Sequence, residues 1–154
     1  MLTPTMETSS SYSGRCLCGD VRYEVRPPTL FFAHCHCRWC QGAHGAAFVT
    51  WVGAAEERFA LTAGEDRLRW YQSTEQSRRG FCERCGTTMF FASTLCPGEM
   101  HVTRTSLEVA AIDREPQLHC FHDQHASWFA VGDELPRFDS TAPGLDKYRT
   151  IPSR

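Results

Sequence analysis

The sequence of 154 residues lacks several features that would assign its class directly. No run of about eighteen apolar residues occurs, which argues against a membrane span. Positive charge is not in excess, since 16 lysines and arginines stand against 18 aspartates and glutamates, so neither nucleic acid nor an anionic membrane is an expected partner. Met1 to Ser13 has neither the basic start nor the apolar stretch of a secretory signal. We therefore expect a protein of the reducing cytoplasm.

Long segments with helical periodicity are also missing. Short apolar or alternating runs, separated by glycine, proline and polar residues, occur instead, and such runs are typical of strands. They predict extended segments at 21–26, 30–33, 47–52, 59–62, 67–71, 88–92, 100–103 and 117–122. Ser106 is predicted to cap a short helical turn, and Trp128 and Phe129 to close over the core. Because a chain of this length can bury one core, we expect one mainly β domain.

Cysteine is what the sequence has in excess, with nine residues. Their odd number and their tight C-x-C and C-x2-C spacings favour metal binding over a disulfide framework, which belongs to small secreted proteins. Thiolates at such spacings are typical zinc ligands. Zinc is therefore the expected cofactor.

Three of the thiols, at Cys35, Cys37 and Cys40, lie within six residues and are called the three-thiol cluster below. On an extended backbone, side chains two apart point to the same face, so Cys35 and Cys37 can present their sulfurs together. A tight turn would then return the Cys40 sulfur to the same point. Structural zinc sites carry four protein ligands and catalytic ones usually three, so we predict a catalytic zinc with an open position. We hypothesise that water occupies this position at rest, and a substrate sulfur or oxygen during turnover.

Two further cysteine pairs lie far apart in the sequence. Cys16 and Cys18 precede the first predicted strand, and Cys82 and Cys85 form a C-x2-C-G knuckle of the kind found in zinc ribbons. Together these pairs supply four thiolates, enough for a closed structural zinc site, and they are called the four-thiol cluster. Spacing alone leaves two alternatives open. Cys16 and Cys18 could be small buried hydrophobes, or the three-thiol cluster could borrow Cys82 or Cys85.

Other polar side chains are candidates for secondary roles near the three-thiol cluster. Strand parity turns His34 and His36 away from the face of the cysteines, which favours contacts behind the ligands, or surface positions, over ligation. His44 is predicted either to lean over the substrate pocket or to lie exposed in its loop.

Two residues between Cys37 and Cys40 are further candidates. Arg38 and Trp39 could line the mouth of the pocket, although Trp39 could also simply pack. Cys96 and Cys120 are expected to be free and buried. Structural roles are expected for His101 and Arg104, and surface positions for His119, His122 and His125.

The three cysteine blocks, in their order, resemble the glutathione-dependent formaldehyde-activating enzyme family, which includes centromere protein V. The resemblance rests on Gly14-x-Cys16-x-Cys18-Gly19, His34-Cys35-His36-Cys37-x-x-Cys40 and Gly80-Phe81-Cys82-x-x-Cys85-Gly86. It covers residues 14–136, between a flexible leader at 1–13 and a tail at 137–154 that is predicted to be mobile. The family fold implied is a zinc-stapled β-tent.

The resemblance also implies two zinc ions per chain. A structural zinc is implied at Cys16, Cys18, Cys82 and Cys85, and a second zinc, associated with catalysis, at Cys35, Cys37 and Cys40. The founding activity of the family joins formaldehyde to glutathione and is classed as a carbon–sulfur lyase. We therefore hypothesise a zinc-dependent lyase-like enzyme whose partner is a small thiol–aldehyde adduct, with glutathione as the candidate thiol. The alternatives are a non-catalytic zinc-stabilised binding module and a hydrolase that uses zinc-bound water.

Overall fold

A large and a small β-sheet share one apolar core in the computed structural model, which describes residues 11–149. The small sheet has the order β1-β2-β5 and is antiparallel. Its strands are β1 (Tyr12–Arg15), β2 (Arg22–Val25) and β5 (Phe59–Ala63). Residues 12 and 13 of the predicted leader therefore belong to a strand, and residues 1–10 lie outside the described part of the chain.

The large sheet has the order β11-β10-β3-β4-β9-β8-β7-β6. Its strands are β3 (Phe31–Cys35), β4 (Val49–Ala55), β6 (Leu68–Gln72), β7 (Ser77–Cys82), β8 (Thr88–Ser93), β9 (Glu99–Thr103), β10 (Leu118–Cys120) and β11 (Arg137–Phe138). The pairs are antiparallel, except that β10 runs parallel to both β3 and β11. The predicted mainly β single domain is confirmed.

The two faces of the large sheet have different partners, because neighbouring residues of a strand point to opposite faces. One row of cross-strand neighbours contains Phe32, Val52, Val102 and Phe90. These four side chains are buried in a core that includes residues of the small sheet. Tyr23 of β2 packs edge-on against Phe90 in this core, with the ring centroids 4.9 Å apart.

The adjacent row, on the opposite face, contains Phe31, Gly53, His101, Phe91 and Arg79. Gly53 leaves room for the Phe31 ring, since a Cβ at residue 53 would lie 2.3 Å from that ring. This face carries the second apolar cluster of the protein, which contains all three sulfurs of the three-thiol cluster. The sheet thus separates a core on one side from a candidate site on the other.

Helix α1 (Arg38–His44) was not predicted from the sequence, which indicated only a tight turn before Cys40. Seven residues make two turns, too few for an apolar periodicity to be recognised. Cys37 caps its N-terminus, since the Cys37 sulfur accepts a hydrogen bond from the backbone N–H of Cys40 at 3.3 Å. Gly45 ends the helix in the left-handed conformation, with φ of 59°.

Two local predictions are wrong. Ser106 ends the short 3-10 turn Arg104–Ser106 and does not cap its start. Trp128 and Phe129 do not close over the core, because their side chains are 76% and 44% exposed in a surface segment.

The predicted mobile tail lies partly within the described residues. Residues 137–138 form β11, and Asp146–Tyr148 form a 3-10 turn beside the second apolar cluster. Lys147 donates a hydrogen bond to Glu99 of β9 at 2.9 Å. Parts of residues 137–149 therefore contact the domain beside the candidate site.

Candidate metal centres and cavity

The four-thiol cluster joins the two sheets. Cys16 and Cys18 lie between β1 and β2, whereas Cys82 ends β7 and Cys85 lies in the turn before β8. All four sulfurs lie within 4.8 Å of one another. The Cys16 and Cys18 sulfurs are 3.5 Å apart, and those of Cys18 and Cys82 are 3.8 Å apart. Tetrahedral zinc with bonds of about 2.3 Å places its sulfurs about 3.8 Å apart, so this cluster fits a zinc ion.

Neighbouring donors favour the thiolate form of Cys85, whereas burial raises the pKa of Cys82. The backbone N–H of Val21 donates to the Cys16 sulfur at 3.3 Å, and the Thr87 hydroxyl lies 3.1 Å from the Cys85 sulfur. Burial raises the pKa of Cys85, but the hydrogen bond from Thr87 and nearby backbone N–H groups outweigh this and lower it to about 5. Thiolates are the form that binds a metal ion.

The three-thiol cluster lies where β3 meets α1. Cys35 ends β3, Cys37 caps the helix and Cys40 lies in its first turn, and all three side chains are buried. Their sulfurs lie within 4.8 Å of one another, and across residues 11–149 no fourth cysteine, histidine or acidic residue joins them at that distance. Cys82 and Cys85 belong to the other cluster, which removes the alternative pairing. These three sulfurs could hold a metal ion.

A buried arginine that sequence reasoning missed lies beside this cluster. Arg79 of β7 is 4% exposed, and two of its guanidinium nitrogens, Nη1 and Nη2, each lie 3.8 Å from the Cys40 sulfur. Hydrogen bonds from Cys35 and Cys37 hold the pKa of Cys40 well below its usual value, and the Arg79 charge lowers it further. The only signal in the sequence is the pair Arg78-Arg79, since one residue of such a pair in a strand must face inward.

A cavity of about 500 Å³ opens on the three-thiol cluster. Its walls are mainly aromatic and aliphatic, with the three thiols and Arg79 as polar groups. Strand β9 and the C-terminal tail add four more polar side chains to the wall, namely Glu99, His101, Lys147 and Tyr148. An apolar pocket with a few convergent polar groups is the usual form of a small-molecule site.

Glu99 organises the polar group contributed by β9 and the tail. Its carboxylate accepts hydrogen bonds from Lys147 at 2.9 Å and from Tyr148 at 3.1 Å, and it lies 2.8 Å from the His101 ring. Burial raises the pKa of Glu99, but the hydrogen bonds from His101 and Lys147 outweigh it and lower the pKa to about 2. Cys96 lies close enough to Glu99 and His101 to form a third group of possible ligands. His101, expected to be structural, is thus also a lining residue of the cavity.

A hydrogen-bonded chain lies behind the three-thiol cluster. The Nε2 atom of His36 lies 2.7 Å from Nδ1 of His119, and Nε2 of His119 lies 3.0 Å from both carboxylate oxygens of Asp133. His36 and His119 are each 1% exposed, so the predicted surface position of His119 is wrong. Burial lowers the pKa of His36 to about 4, with a further contribution from the charge of His119. His34 is half-buried, and its Nδ1 lies 2.8 Å from the Thr50 hydroxyl.

Most of the other residues singled out from the sequence do not line the cavity beside the three-thiol cluster. His44 packs edge-on against Trp51 and lines a different cavity of about 650 Å³, which contains no residue of the three-thiol cluster. Arg38 is exposed, and Trp39 packs against the second apolar cluster; neither lines the cavity beside the thiols. Cys96 and Cys120 are free and buried, and Cys120 also lines that cavity. His125 is exposed and its ring stacks on that of the partly buried His122.

Fold and site together define a mainly β protein with two candidate metal centres, one closed by four thiols and one with three thiols beside a cavity. The profile of the glutathione-dependent formaldehyde-activating enzyme family matches residues 11–124. The chain belongs to this family.

Two curated proteins and one solved structure are similar to this chain. An uncharacterized lyase of Schizosaccharomyces pombe is 32% identical over 87 residues, which are 54% of this chain and 58% of that protein. A Halomonas elongata protein, named provisionally as a glutathione-dependent formaldehyde-activating enzyme, is 22% identical over 77% of this chain and 79% of its own. A crystal structure of a Rhodobacter sphaeroides protein matches 68% of this chain and 97% of its own with a TM-score of 0.55 and 25% identity. Within residues 11–149 no helix has the length and apolar character needed to cross a membrane.

Proposed function

We propose that this protein is a zinc-dependent, carbon–sulfur lyase-like enzyme that forms or cleaves a thiol–aldehyde adduct, with glutathione and formaldehyde as the candidate pair. The observation that carries the proposal is the contrast between the clusters. The four-thiol cluster has enough ligands for a closed tetrahedral site and contributes one residue, Cys16, to a cavity wall, whereas all three sulfur-bearing residues of the three-thiol cluster line one cavity of about 500 Å³. Family membership and the lyase name of one relative support an activity of this class.

The residues fit two zinc ions with different roles. Cys16, Cys18, Cys82 and Cys85 would hold a structural ion, and the three-thiol cluster would hold the second. Bound there, zinc would favour the thiolate form of a substrate thiol at neutral pH. The chain itself provides the Arg79 charge beside these thiolates and the apolar walls that limit access of water.

The proposed compartment is the cytoplasm. All nine cysteines are free thiols, and seven of them lie in the two clusters. A reducing compartment keeps such thiols available for metal ions and substrates. Substrate and compartment are therefore consistent, because a free thiol such as glutathione also requires reducing conditions.

The proposal is tested by NMR exchange spectroscopy of formaldehyde, glutathione and their hydroxymethyl adduct in the presence of the zinc-loaded protein. We expect the wild type to accelerate exchange and Cys37→Ser to lose this activity, because Cys37 belongs to the three-thiol cluster. Arg38→Gln is the control, since Arg38 is exposed on the same short helix and does not line the cavity. An inactive wild type with two zinc ions per chain would favour the binding module, and an unimpaired Cys37→Ser would place the chemistry elsewhere.

A further inference from the structure

Arg79 is a buried cation without a carboxylate partner. Across the part of the chain that the structure describes, both hydrogen bonds of its guanidinium go to the Cys40 sulfur, and its Nε has no partner. Arginine remains charged in proteins, and a buried charge is costly unless an anion or several hydrogen bonds compensate it. The wall of the cavity therefore carries a permanent positive charge, the Arg79 guanidinium, and part of the hydrogen-bonding capacity of this guanidinium is unused.

The neighbouring side chains hold this guanidinium in a defined place. Its central carbon lies 5.1 Å from the centroid of the Phe91 ring on the next strand, which is a cation–π distance. Arg79 also lies opposite Phe91 in the sheet register, and both residues line the cavity. The adjacent residue, Arg78, points to the other face, is exposed, and lies 4.2 Å above the Trp70 ring. The two consecutive arginines thus differ in burial and surroundings, and of the two it is Arg79 that can reach a ligand in the cavity.

The distance to Cys40 limits what Arg79 can bind. Because Nη1 and Nη2 lie only 3.8 Å from a sulfur of the three-thiol cluster, a ligand whose sulfur reaches this cluster has its next atoms within reach of the guanidinium. In a thiol–aldehyde adduct, the oxygen is separated from the sulfur by a single carbon. This oxygen carries negative charge as the carbon–sulfur bond forms or breaks, and a fork of N–H donors is well suited to bind it.

We propose, on the basis of the proposed function, that Arg79 is a catalytic residue that binds the alkoxide oxygen of the thiol–aldehyde adduct. In adduct formation, an electron pair of the thiolate sulfur forms the carbon–sulfur bond, and the π pair of the aldehyde carbonyl moves to oxygen. The resulting alkoxide then takes from solvent the proton that the thiol released. In cleavage the same steps run in reverse. Arg79 stabilises the charged oxygen in both directions, and no oxidant or reductant is involved.

The first test is the rate of adduct exchange in three variants. We expect Arg79→Gln to lower kcat about 100-fold with a smaller change in KM, which is the usual effect of losing a donor to a developing oxyanion. Arg79→Lys keeps the charge without the planar fork and should lower kcat about 10-fold. Arg78→Gln is the matched control and should behave as the wild type. Zinc content and far-UV circular dichroism check whether each variant is folded. If Arg79→Gln is unfolded, the comparison of Arg79→Lys with the wild type provides the test.

The second test is equilibrium binding of two small thiols by isothermal titration calorimetry. The probes are 2-mercaptoacetate and 2-mercaptoacetamide, which are similar in size but differ in the charge near sulfur. We expect the ratio of their affinities to fall about 10-fold in Arg79→Gln, in favour of the neutral probe, and to stay unchanged in Arg78→Gln. If Arg79 only balances the charge of the cysteine thiolates, both probes will weaken equally in Arg79→Gln.

The outcomes separate this inference from the function on which it rests. Wild-type protein that fails to accelerate exchange would overturn the proposed function, while the probe ratio would still decide whether Arg79 binds an anion. Active wild-type protein with an unchanged probe ratio and an unchanged kcat in Arg79→Gln would overturn the role of Arg79 alone. A kcat of Arg79→Lys equal to that of the wild type would likewise contradict it.

Discussion

The two cysteine clusters use the same ligand atom in different surroundings. The four-thiol cluster bridges the two sheets near the surface, where Cys18 is exposed and Arg84 pairs with Asp20 beside it. The three-thiol cluster lies where β3 meets α1, with all of its cysteines buried beside a cavity and a buried cation. The two clusters therefore differ both in the number of thiol ligands and in the surroundings of those thiols.

We infer from this contrast that the four-thiol cluster serves folding and the three-thiol cluster serves chemistry. A metal ion that links two sheets replaces apolar contacts that a small core does not supply, so its role is in folding. A metal ion held by three residues close together in sequence links few distant parts of the chain. Its surroundings, namely a cavity, a guanidinium and a supporting hydrogen-bond chain, are of the kind that chemistry requires.

Breaking the four-thiol cluster should cause the protein to lose its fold. In Cys82→Ser, a structural zinc worth on the order of 10 kcal/mol would lose a ligand that ties β7 to the small sheet. We expect the variant to be unfolded or to melt far below the wild type, as measured by circular dichroism and zinc content. Cys37→Ser should instead retain most of the stability. If both variants melt alike, the division between the clusters is wrong.

The next effect concerns the chain of Asp133, His119 and His36. Replacing His119 by Phe leaves a nitrogen of the buried His36 without its partner, which should cost about 2 kcal/mol of the free energy of unfolding. Because His36 lies between Cys35 and Cys37, we also expect weaker metal binding at the three-thiol cluster only.

Competition with a chromophoric chelator, which resolves two zinc ions of different affinity, measures this selectivity. His125→Phe is the control, because His125 is exposed and its ring stacks only on the neighbouring His122. Equal weakening of both ions in His119→Phe would contradict a local supporting role.

The convergence of the three-thiol cluster could be predicted from the sequence because its short spacings bring the sulfurs together, although spacing alone left open whether Cys82 or Cys85 would join them. Cys35, Cys37 and Cys40 converge within one turn of chain, and the knuckle at Cys82 and Cys85 needs one distant pair to complete it. Most strands followed from apolar alternation for the same local reason. The helix at Arg38–His44 was missed because its signal is too short.

The surroundings of the three-thiol cluster could not be predicted, because they depend on pairing between distant segments. β10 runs parallel to β3 and places His119 opposite His34, 85 positions earlier in the sequence. Arg79 comes from β7, and three strands separate β7 from β3, which carries Cys35. The burial of Arg79 follows from the position of its strand in the sheet. A polar tail that looks mobile in composition similarly packs where Lys147 can reach Glu99.

A smaller effect with a defined pH dependence comes from Glu99 at the polar end of the cavity. The folded pKa of about 2 lies below the ordinary value of 4.5, so ionised Glu99 stabilises the fold above about pH 4.5, and this contribution is lost as the pH falls toward 2. Glu99→Gln should cost about 1 kcal/mol at pH 6, after allowance for the exposed Lys147 partner. Urea unfolding of both proteins from pH 6 to pH 3 should show this difference shrinking below pH 4.5. A difference that grows on acidification would have the wrong sign.

The smallest effect is expected at the surface of the four-thiol cluster. Arg84 lies 3.1 Å from Asp20, but its side chain is 62% exposed, and exposed ion pairs contribute less than about 1 kcal/mol. Arg84→Gln should therefore change the melting temperature by a few degrees at most and leave zinc content and adduct exchange unaltered. Thermal unfolding in low and high salt checks this, since salt should remove most of the difference. Loss of zinc in Arg84→Gln would mean that charge around this cluster, and not its four thiols alone, holds the metal, and the simple contrast between the clusters would then fail.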